Sequence, residues 1–580
     1  MMRRMKKMCL IWVLAFASAL SLAGQGRVVE RTWISTDRDV YVAGDAVWYS
    51  AFCIDAARGT LSPVSSVAYL ELHGPDGLVV SSKVALLDGR GGGRFLLPNT
   101  LPTGNYRLIA YTGQNKDEEG YDYEGIASKT LSVFNVFSND RVAGGVEVVS
   151  PEEYAALRSP DKPGMTPAGS DASVMPGSDR ASLAITCEPG TVSLDNPAGE
   201  AVTLSVSVYH DDGFLSNGNP GIAQFLAESR GVGPRRFRAG TVPEYEGEVI
   251  RGHVVGFSEE MIPHLIGRYA FISTPSDKAD VYTAAVREDG SLVFFTGNIY
   301  GDKECVCEIE GIDPKLTCHV ELESPFVNPR IAAAAPLRIS SLLTDALKQR
   351  SVSMQIERRF EADTLFEWLP VRDNGLFGEE PVRYVLDDYT RFPTMAEDFV
   401  EFISEIRARK TPEGERDIKV ELNELQSGPT FSRGKTLMML DGVPVFDQEK
   451  IMQYDPLLVE TVNIYPHTYF IGNRIFEGVV NFVTYKRNLP SFTFGGNARV
   501  IDWQGVSYPM AFTCADMPDD GRYPDYRQTV CWHPLVEVAA GGSTVIRYKL
   551  PDYNGRFVVV VEGMTTSGKP VFRRSVIEVQ

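Results

Sequence analysis

Val202-Thr-Leu-Ser-Val-Ser-Val-Tyr209 alternates apolar and polar residues from Val202 to Val208. A period of two is the mark of a β-strand with one face turned to a core. The same signal recurs on both sides of it. Upstream, Val40-Tyr-Val-Ala-Gly-Asp-Ala-Val-Trp-Tyr49 holds apolar runs split at the turn Ala43-Gly44-Asp45. Val67-Ala-Tyr-Leu-Glu-Leu72 is a strand ended by Pro75-Asp76-Gly77, Leu78-Val-Val80 restarts it, and a glycine-rich turn at 89–93 leads to Arg94-Phe-Leu-Leu97. Downstream, residues 545–550, 557–562 and 571–579 read as strands of a further sandwich. Short strands at this spacing, with turn signals between them, predict β-sandwiches.

The chain has 580 residues, enough for about three to five domains. Arg3, Arg4, Lys6 and Lys7 precede an apolar run from Cys9 to Ala19, and Ser21-Leu22-Ala23 offers small residues for cleavage after Ala23. This is the pattern of a secretory signal peptide. The run is shorter than the roughly 20 residues of a spanning helix, and no later segment is long and apolar enough to be one. Cys9 precedes the run and the next cysteine is Cys53, so no lipid anchor is expected. The formal net charge of -19 becomes four units more negative once the basic leader residues leave. Such a balance disfavours nucleic acid and anionic membrane surfaces. Removing Cys9 leaves an odd number of cysteines. Cys305, Cys307 and Cys318 lie close in sequence, as do Cys514 and Cys531. Cys514 and Cys531 can close a loop in an oxidising compartment, or stand as buried thiols. No spacing among the cysteines reads as a zinc site.

Tyr41, Gly44, Asp45 and Val47, then Pro75-Asp76-Gly77, then Leu101-Pro-Thr-Gly-Asn-Tyr106 resemble the second domain of alpha-macroglobulins over about residues 28–137. The resemblance implies a scaffold domain. The opening strand Glu246-Gly-Glu-Val-Ile-Arg-Gly-His-Val-Val255, with expected partners at 279–286 and 292–295 and a turn at Asp289-Gly290, resembles carboxypeptidase regulatory-like domains. Leu337, Leu342, Leu343, Ala346 and Leu347 recur at helical spacing, which predicts a helical connector.

Residues 382–488 mix strands and helices. Val382-Arg-Tyr-Val-Leu386 is a strand, and Thr394 with Glu397 forms a capping box. Met395, Phe399, Phe402, Ile403 and Ile406 make one apolar face. Leu440-Asp-Gly-Val-Pro444, Val459-Glu-Thr-Val-Asn-Ile464, Tyr469 with Gly472, and Gly478-Val-Val-Asn-Phe-Val-Thr484 follow in order. That series resembles the plug domain of TonB-dependent outer-membrane receptors. It departs from the family at Tyr465-Pro466-His467 and Glu477-Gly478, and no energy-coupling box stands near the mature N-terminus. Receptors of that family continue into a barrel, whose smallest form needs eight strands of about ten residues. Residues 489–580 are interrupted by Pro509, Pro518, Pro524, Pro534 and Gly541-Gly542, so a plug-like domain without its own barrel is expected.

The expected architecture is mainly β: tandem macroglobulin- or immunoglobulin-like β-sandwiches with an α/β plug-like domain inserted before a C-terminal β-sandwich. The segments are a signal peptide (1–23), a macroglobulin-like sandwich (24–149), a Pro-, Gly- and Ser-rich linker (150–182) and a second sandwich (183–245). A regulatory-like β domain (246–335), a helical connector (336–381), the plug-like domain (382–488) and a C-terminal sandwich (489–580) complete the chain. No His-Glu-x-x-His, Gly-x-Ser-x-Gly, phosphate loop or Cys-Gly-Glu-Gln thioester occurs. The acidic loops at Asp117-Glu-Glu119 and Asp519-Asp520 lack ordered calcium-ligand spacing. No catalytic residue, cofactor or metal is therefore expected.

The expected role is non-enzymatic: an accessory protein of the periplasm or outer-membrane periphery of a Gram-negative bacterium. Its plug resemblance implies a protein partner such as a β-barrel transporter or secretion channel. The stretch 465–475 reads as a loop holding Tyr465, His467, Tyr469, Phe470 and Ile471, the expected partner-binding residues, since aromatics are enriched at interface centres. The competing reading packs these rings onto the sheet. The alternative role is a secreted or surface-anchored protein whose C-terminal sandwich serves as an export signal.

Overall fold

The turn at Ala43-Gly44-Asp45 is where the first sandwich starts to close. In the computed structural model Gly44 has a φ of 96°, a left-handed value that glycine takes without strain. Asp45 then accepts from the Val42 amide at 2.9 Å and from the Arg38 guanidinium at 2.7 Å. The structure describes residues 27–158, 183–233, 235–238, 240–257, 261–276, 280–312, 318–360, 366–371, 376–410, 416–423, 430–514 and 525–579. The segment 1–23, expected to be a signal peptide, lies outside them.

In the first sandwich, Ala46–Asp55 pairs with Glu30–Thr36, Thr60–Leu61 and Arg90–Leu96. The facing sheet runs Val40–Val42, Lys129–Phe134, Gly104–Thr112, Val67–Gly74, Gly77–Ala85. Tyr41, Tyr49, Leu70, Leu108 and Val133 share the core between them. The Leu-Pro-x-Gly-x-Tyr signal has a mechanical cause: buried Tyr106 donates its hydroxyl to the Pro102 carbonyl at 2.7 Å, fixing the turn that feeds its strand.

The fold divides into two units. One gathers the described residues up to Tyr245 with Asn328–Trp368 and those from Met510 onward. The other holds Glu246–Val327 and Leu369–Pro509.

The first unit contains a second sandwich built from distant parts of the chain. Val202–His210 is central in its sheet, between Thr529–Val538 and Gly555–Thr565, with Pro570–Val579 outermost. The facing sheet runs Ala184–Glu188, Thr191–Asp195, Ser543–Arg547. Strands expected in two separate sandwiches, at 183–245 and 489–580, thus share both sheets. Each set alone would leave an apolar face bare, and together they cover it. Val202, Leu204, Val206 and Val208 fill the core. The other face of the strand is buried too. Ser205 donates to Ser35 Oγ at 3.0 Å and Ser207 to the Asp37 carbonyl at 2.6 Å. Thr529 donates to Asp37 Oδ2 at 2.6 Å, and Ser35 bonds to Glu562. A buried polar strip therefore joins the two sandwiches, flanked by Trp33, Phe225 and Met564 on one side and Trp48, Phe366 and Trp532 on the other.

The expected linker opens as a helix, Pro151–Arg158, whose Tyr154 is buried and accepts from the Leu215 amide at 3.1 Å. Residues 159–182 lie outside the described residues. The expected connector contains the helix Thr344–Phe360, and Arg350 on it donates to the Val40 carbonyl at 2.6 Å.

In the second unit, Val249–Val255 pairs with Ser291–Phe295 and His319–Leu322. Asp280–Ala285, one of its expected partners, pairs instead with Tyr269–Thr274 in a facing sheet that continues through Asp302–Ile309 to Ala498–Gln504. That last strand was expected in the C-terminal sandwich. Here it buries Trp503 against Ile250, Phe294 and Cys305.

The α/β part of this unit has a sheet in the order Val382–Val385, Val459–Ile471, Arg474–Thr484, Leu437–Leu440, Val443–Pro444. Leu437–Leu440 runs parallel to Arg474–Thr484. The helix Met395–Glu401 is shorter than the apolar pattern suggested. Phe402 caps it and Ile406 begins a strand, yet Met395, Phe399, Ile403 and Ile406 still meet in one core. The Glu397 carboxylate of the expected capping box accepts from the Thr394 amide at 3.2 Å.

Two of the sequence signals prove to be halves of one lock. Asp441 and Gly442 have φ values of 47° and 78°, the paired positive values of a tight hairpin turn. The buried Asp441 carboxylate accepts from the Thr484 amide (2.6 Å), the Thr484 hydroxyl (2.7 Å) and the Leu489 amide (2.9 Å). Asn481 Oδ1 accepts from the Gly442 amide at 3.0 Å. Gly478 has a φ of 84°, and a Cβ there would stand 2.8 Å from Val420.

Candidate functional site

The stretch 465–475 is not a loop. It belongs to the hairpin of Val459–Ile471 and Arg474–Thr484, which turns at Gly472 with a φ of 55°. Its register pairs Tyr469 with Phe476 and Phe470 with Ile475. A register shift between Tyr465 and Thr468 accommodates Pro466, which can give no amide to the ladder.

The hairpin separates the five expected contact residues. Tyr465, Tyr469 and Ile471 are buried with Phe271, Leu437, Met439, Phe476 and Val479. Phe271 comes from the Tyr269–Thr274 strand and lies 4.9 Å from the Phe446 ring. Phe377 stacks on Tyr469 at 4.0 Å. The Tyr469 hydroxyl donates to Glu379 at 2.9 Å, and burial holds it above the ordinary phenol range, so it stays a donor. His467 is half-buried beside Tyr469. Phe470 points to the other face and is 68% exposed, and its cross-strand partner Ile475 is 56% exposed. Packing within the unit thus engages three of the five side chains, and Phe470 with Ile475 forms the apolar surface. Ile475 escaped sequence reading because its exposure follows from hairpin register.

A second constellation lies in the second sandwich. Cys531 and His533 are two residues apart on Thr529–Val538, so they share a face. Cys514 follows the short strand Met510–Phe512. Donor atoms of the three side chains all lie within 4.8 Å of one another. Cys531 is fully buried, while Cys514 and His533 are partly exposed. All seven cysteines among the described residues stand as free thiols. Hydrogen bonds from Cys531 and His533 push the Cys514 thiol down to about 5 against the opposing effect of burial. Burial pushes Cys531 up. The cysteine pair was visible in the sequence, but the histidine was not linked to it. Its signal is the Cys-x-His spacing within a strand.

Neither a family model nor a curated protein matches the chain. Among solved structures, it is similar to the native conformation of Escherichia coli alpha-2-macroglobulin at 10% identity and a TM-score of 0.24, covering 96% of this chain and 40% of that one. It is similar to dimeric latent PorU from Porphyromonas gingivalis at 8% identity and a TM-score of 0.14, covering 95% of this chain and 34% of that one. A CARDB domain from Pyrococcus furiosus matches 19% of this chain at 13% identity, with 96% of that chain covered and a TM-score of 0.14. The chain thus spans about two fifths of the length of the bacterial macroglobulin it matches. Such likenesses carry no functional argument, and the mainly β, tandem-sandwich architecture rests on the sheets themselves. No helix among the described residues is long and apolar enough to cross a membrane.

Proposed function

We propose that this chain is a non-enzymatic, exported accessory protein of the cell envelope. It docks a protein partner at the outer membrane, of the β-barrel transporter or secretion-channel class, through its plug-like α/β unit. The observation that carries the reading is the Phe470–Ile475 pair: two large apolar side chains paired across the strands and exposed, on a hairpin whose other face is packed. Adjacent exposed apolar side chains on a rigid element suit a contact surface. The aromatic seam behind them fixes their orientation, so little ordering cost remains on binding. The β-sandwiches serve as spacer.

The alternative, a C-terminal sandwich acting as an export signal, finds less support. Its strands share sheets with Thr191–Asp195 and Val202–His210, so it does not stand as a separable module. The test is in-cell crosslinking of the full chain carrying Phe470→Ser and Ile475→Ser together. Loss of the captured outer-membrane protein, with an unchanged melting profile, is the expected result. Capture at the wild-type yield would assign docking to another surface.

A further inference from the structure

We propose that Cys514, Cys531 and His533 form a binding site for one thiophilic cation, Zn²⁺ or Cu⁺, with a coordination position left open to an external ligand. Three donors gathered within 4.8 Å match the spacing needed around one ion, since metal–sulfur and metal–imidazole bonds of about 2.3 and 2.0–2.1 Å place ligand atoms roughly 3.5–3.8 Å apart. Two thiolates and an imidazole are the soft set that selects such ions over magnesium or calcium.

The surroundings explain both how the site is held and how it is reached. Thr529–Val538 is the edge strand of its sheet, and Ser543–Arg547 is the edge strand of the facing one. Between them opens a groove of about 480 Å³, lined in part by Phe512, Cys514, His533, Ile546 and Arg547. Cys531 anchors the site from the sandwich core, where Val208 and Val559 pack in the same cluster. Cys514 and His533 line the groove itself, so the ion enters from that side and its remaining position faces it. Binding takes both sulfurs as thiolates, so the Cys514 and Cys531 thiol protons leave to solvent, and no redox step is involved. The rival use of the same sulfurs is a Cys514–Cys531 disulfide, which removes two ligands and leaves His533 without a role.

The full chain, reduced and freed of metal under anaerobic conditions, should be titrated with Zn²⁺ and, separately, with Cu⁺, each against a chromogenic chelator. One equivalent should bind, and the tighter arm identifies the ion. Cobalt substitution should give a thiolate charge-transfer band. Cys514→Ser and His533→Ala, both at partly exposed positions, should each weaken binding by about 100-fold or more, and Cys514→Ser should also diminish the band at saturating cobalt, with melting of the metal-free protein little changed. Cys187→Ala, a nearby thiol outside the site, should leave binding intact. Absence of stoichiometric binding, or binding unaffected by the two ligand substitutions, overturns the proposal. So does a Cys514–Cys531 disulfide in protein isolated from cells. None of these outcomes depends on the docking role.

Discussion

The molecule joins its modules in two different ways. In the first unit, the seam between sandwiches has a polar centre in which Ser35, Asp37, Ser205, Ser207, Thr529 and Glu562 are all buried. In the second, the seam between the Tyr269–Thr274 sheet and the α/β part is aromatic, made by Phe271, Phe446, Tyr465, Tyr469 and Phe476. The contrast teaches what each chemistry gives. Hydrogen bonds fix register, because a shifted strand leaves buried donors unmet. Aromatic packing buries a large apolar area per residue and adds about 0.5–1.5 kcal/mol per well-placed ring pair.

The most severe test of that contrast is Phe271→Ala. It empties the centre of the aromatic seam and should cost about 3–5 kcal/mol, measured by calorimetry and denaturant unfolding. Asp37→Ala probes the polar seam. It removes the acceptor for Tyr41, Trp48 and Thr529 and should cost about 2–4 kcal/mol. A loss below about 0.5 kcal/mol, the range of ordinary surface changes, would mean that the strip is passive.

Glu308 supplies a pH handle on an interior strand of the second unit. Burial pushes its carboxyl up to about 7, although Asn497 donates to it at 3.0 Å. Folding thus favours the protonated form, whose stabilisation is complete below the unfolded value near 4.5 and is lost as pH rises through about 7. Glu308→Gln should stabilise the protein by about 1–3 kcal/mol at pH 8 and change little at pH 4. Equal melting shifts at both pH values would sink this account. The smallest effect belongs to Phe470→Ser, which should stay within about 0.5 kcal/mol, whereas Tyr469→Ser should cost several times more. Equal losses would mean that the two faces of the hairpin are not distinct.

Much of this was legible from residue order. The period of two assigned Val202, Leu204, Val206 and Val208 to one core, and Tyr41 through Asp45 announced a turn whose hydrogen bonds explain the residues found there. The same alternation would have separated Tyr469 and Ile471 from Phe470, had the stretch been read as a strand rather than a loop. What could not be read locally was the partner of each face. Ser205 and Ser207 look like solvent-facing positions until Ser35 and Asp37 are brought opposite them, and Tyr469 looks free until Phe271 arrives from far upstream. Likewise, the Cys-x-His pair gains meaning only when Cys514 is folded against it. Strand pairing across such separations depends on tertiary context that periodicity does not carry.

The return of the chain to Val202–His210 has a consequence in time. The strand is complete early in translation, but its hydrogen-bonding neighbours, Thr529–Val538 and Gly555–Thr565, begin only after roughly 320 and 345 further residues, on the order of 15–70 s at ribosomal rates of about 5–20 residues per second. Throughout that interval its edges stand open and its core face has only the hairpin of Ala184–Glu188 and Thr191–Asp195 to meet, the condition in which strands pair with the wrong chain. The second unit is manufactured inside that waiting period. A growing chain must therefore shelter one unfinished sheet while it completes another, and release after Pro509 but before Gly555 yields a product that holds every residue of the aromatic seam but lacks the Glu562 end of the polar one.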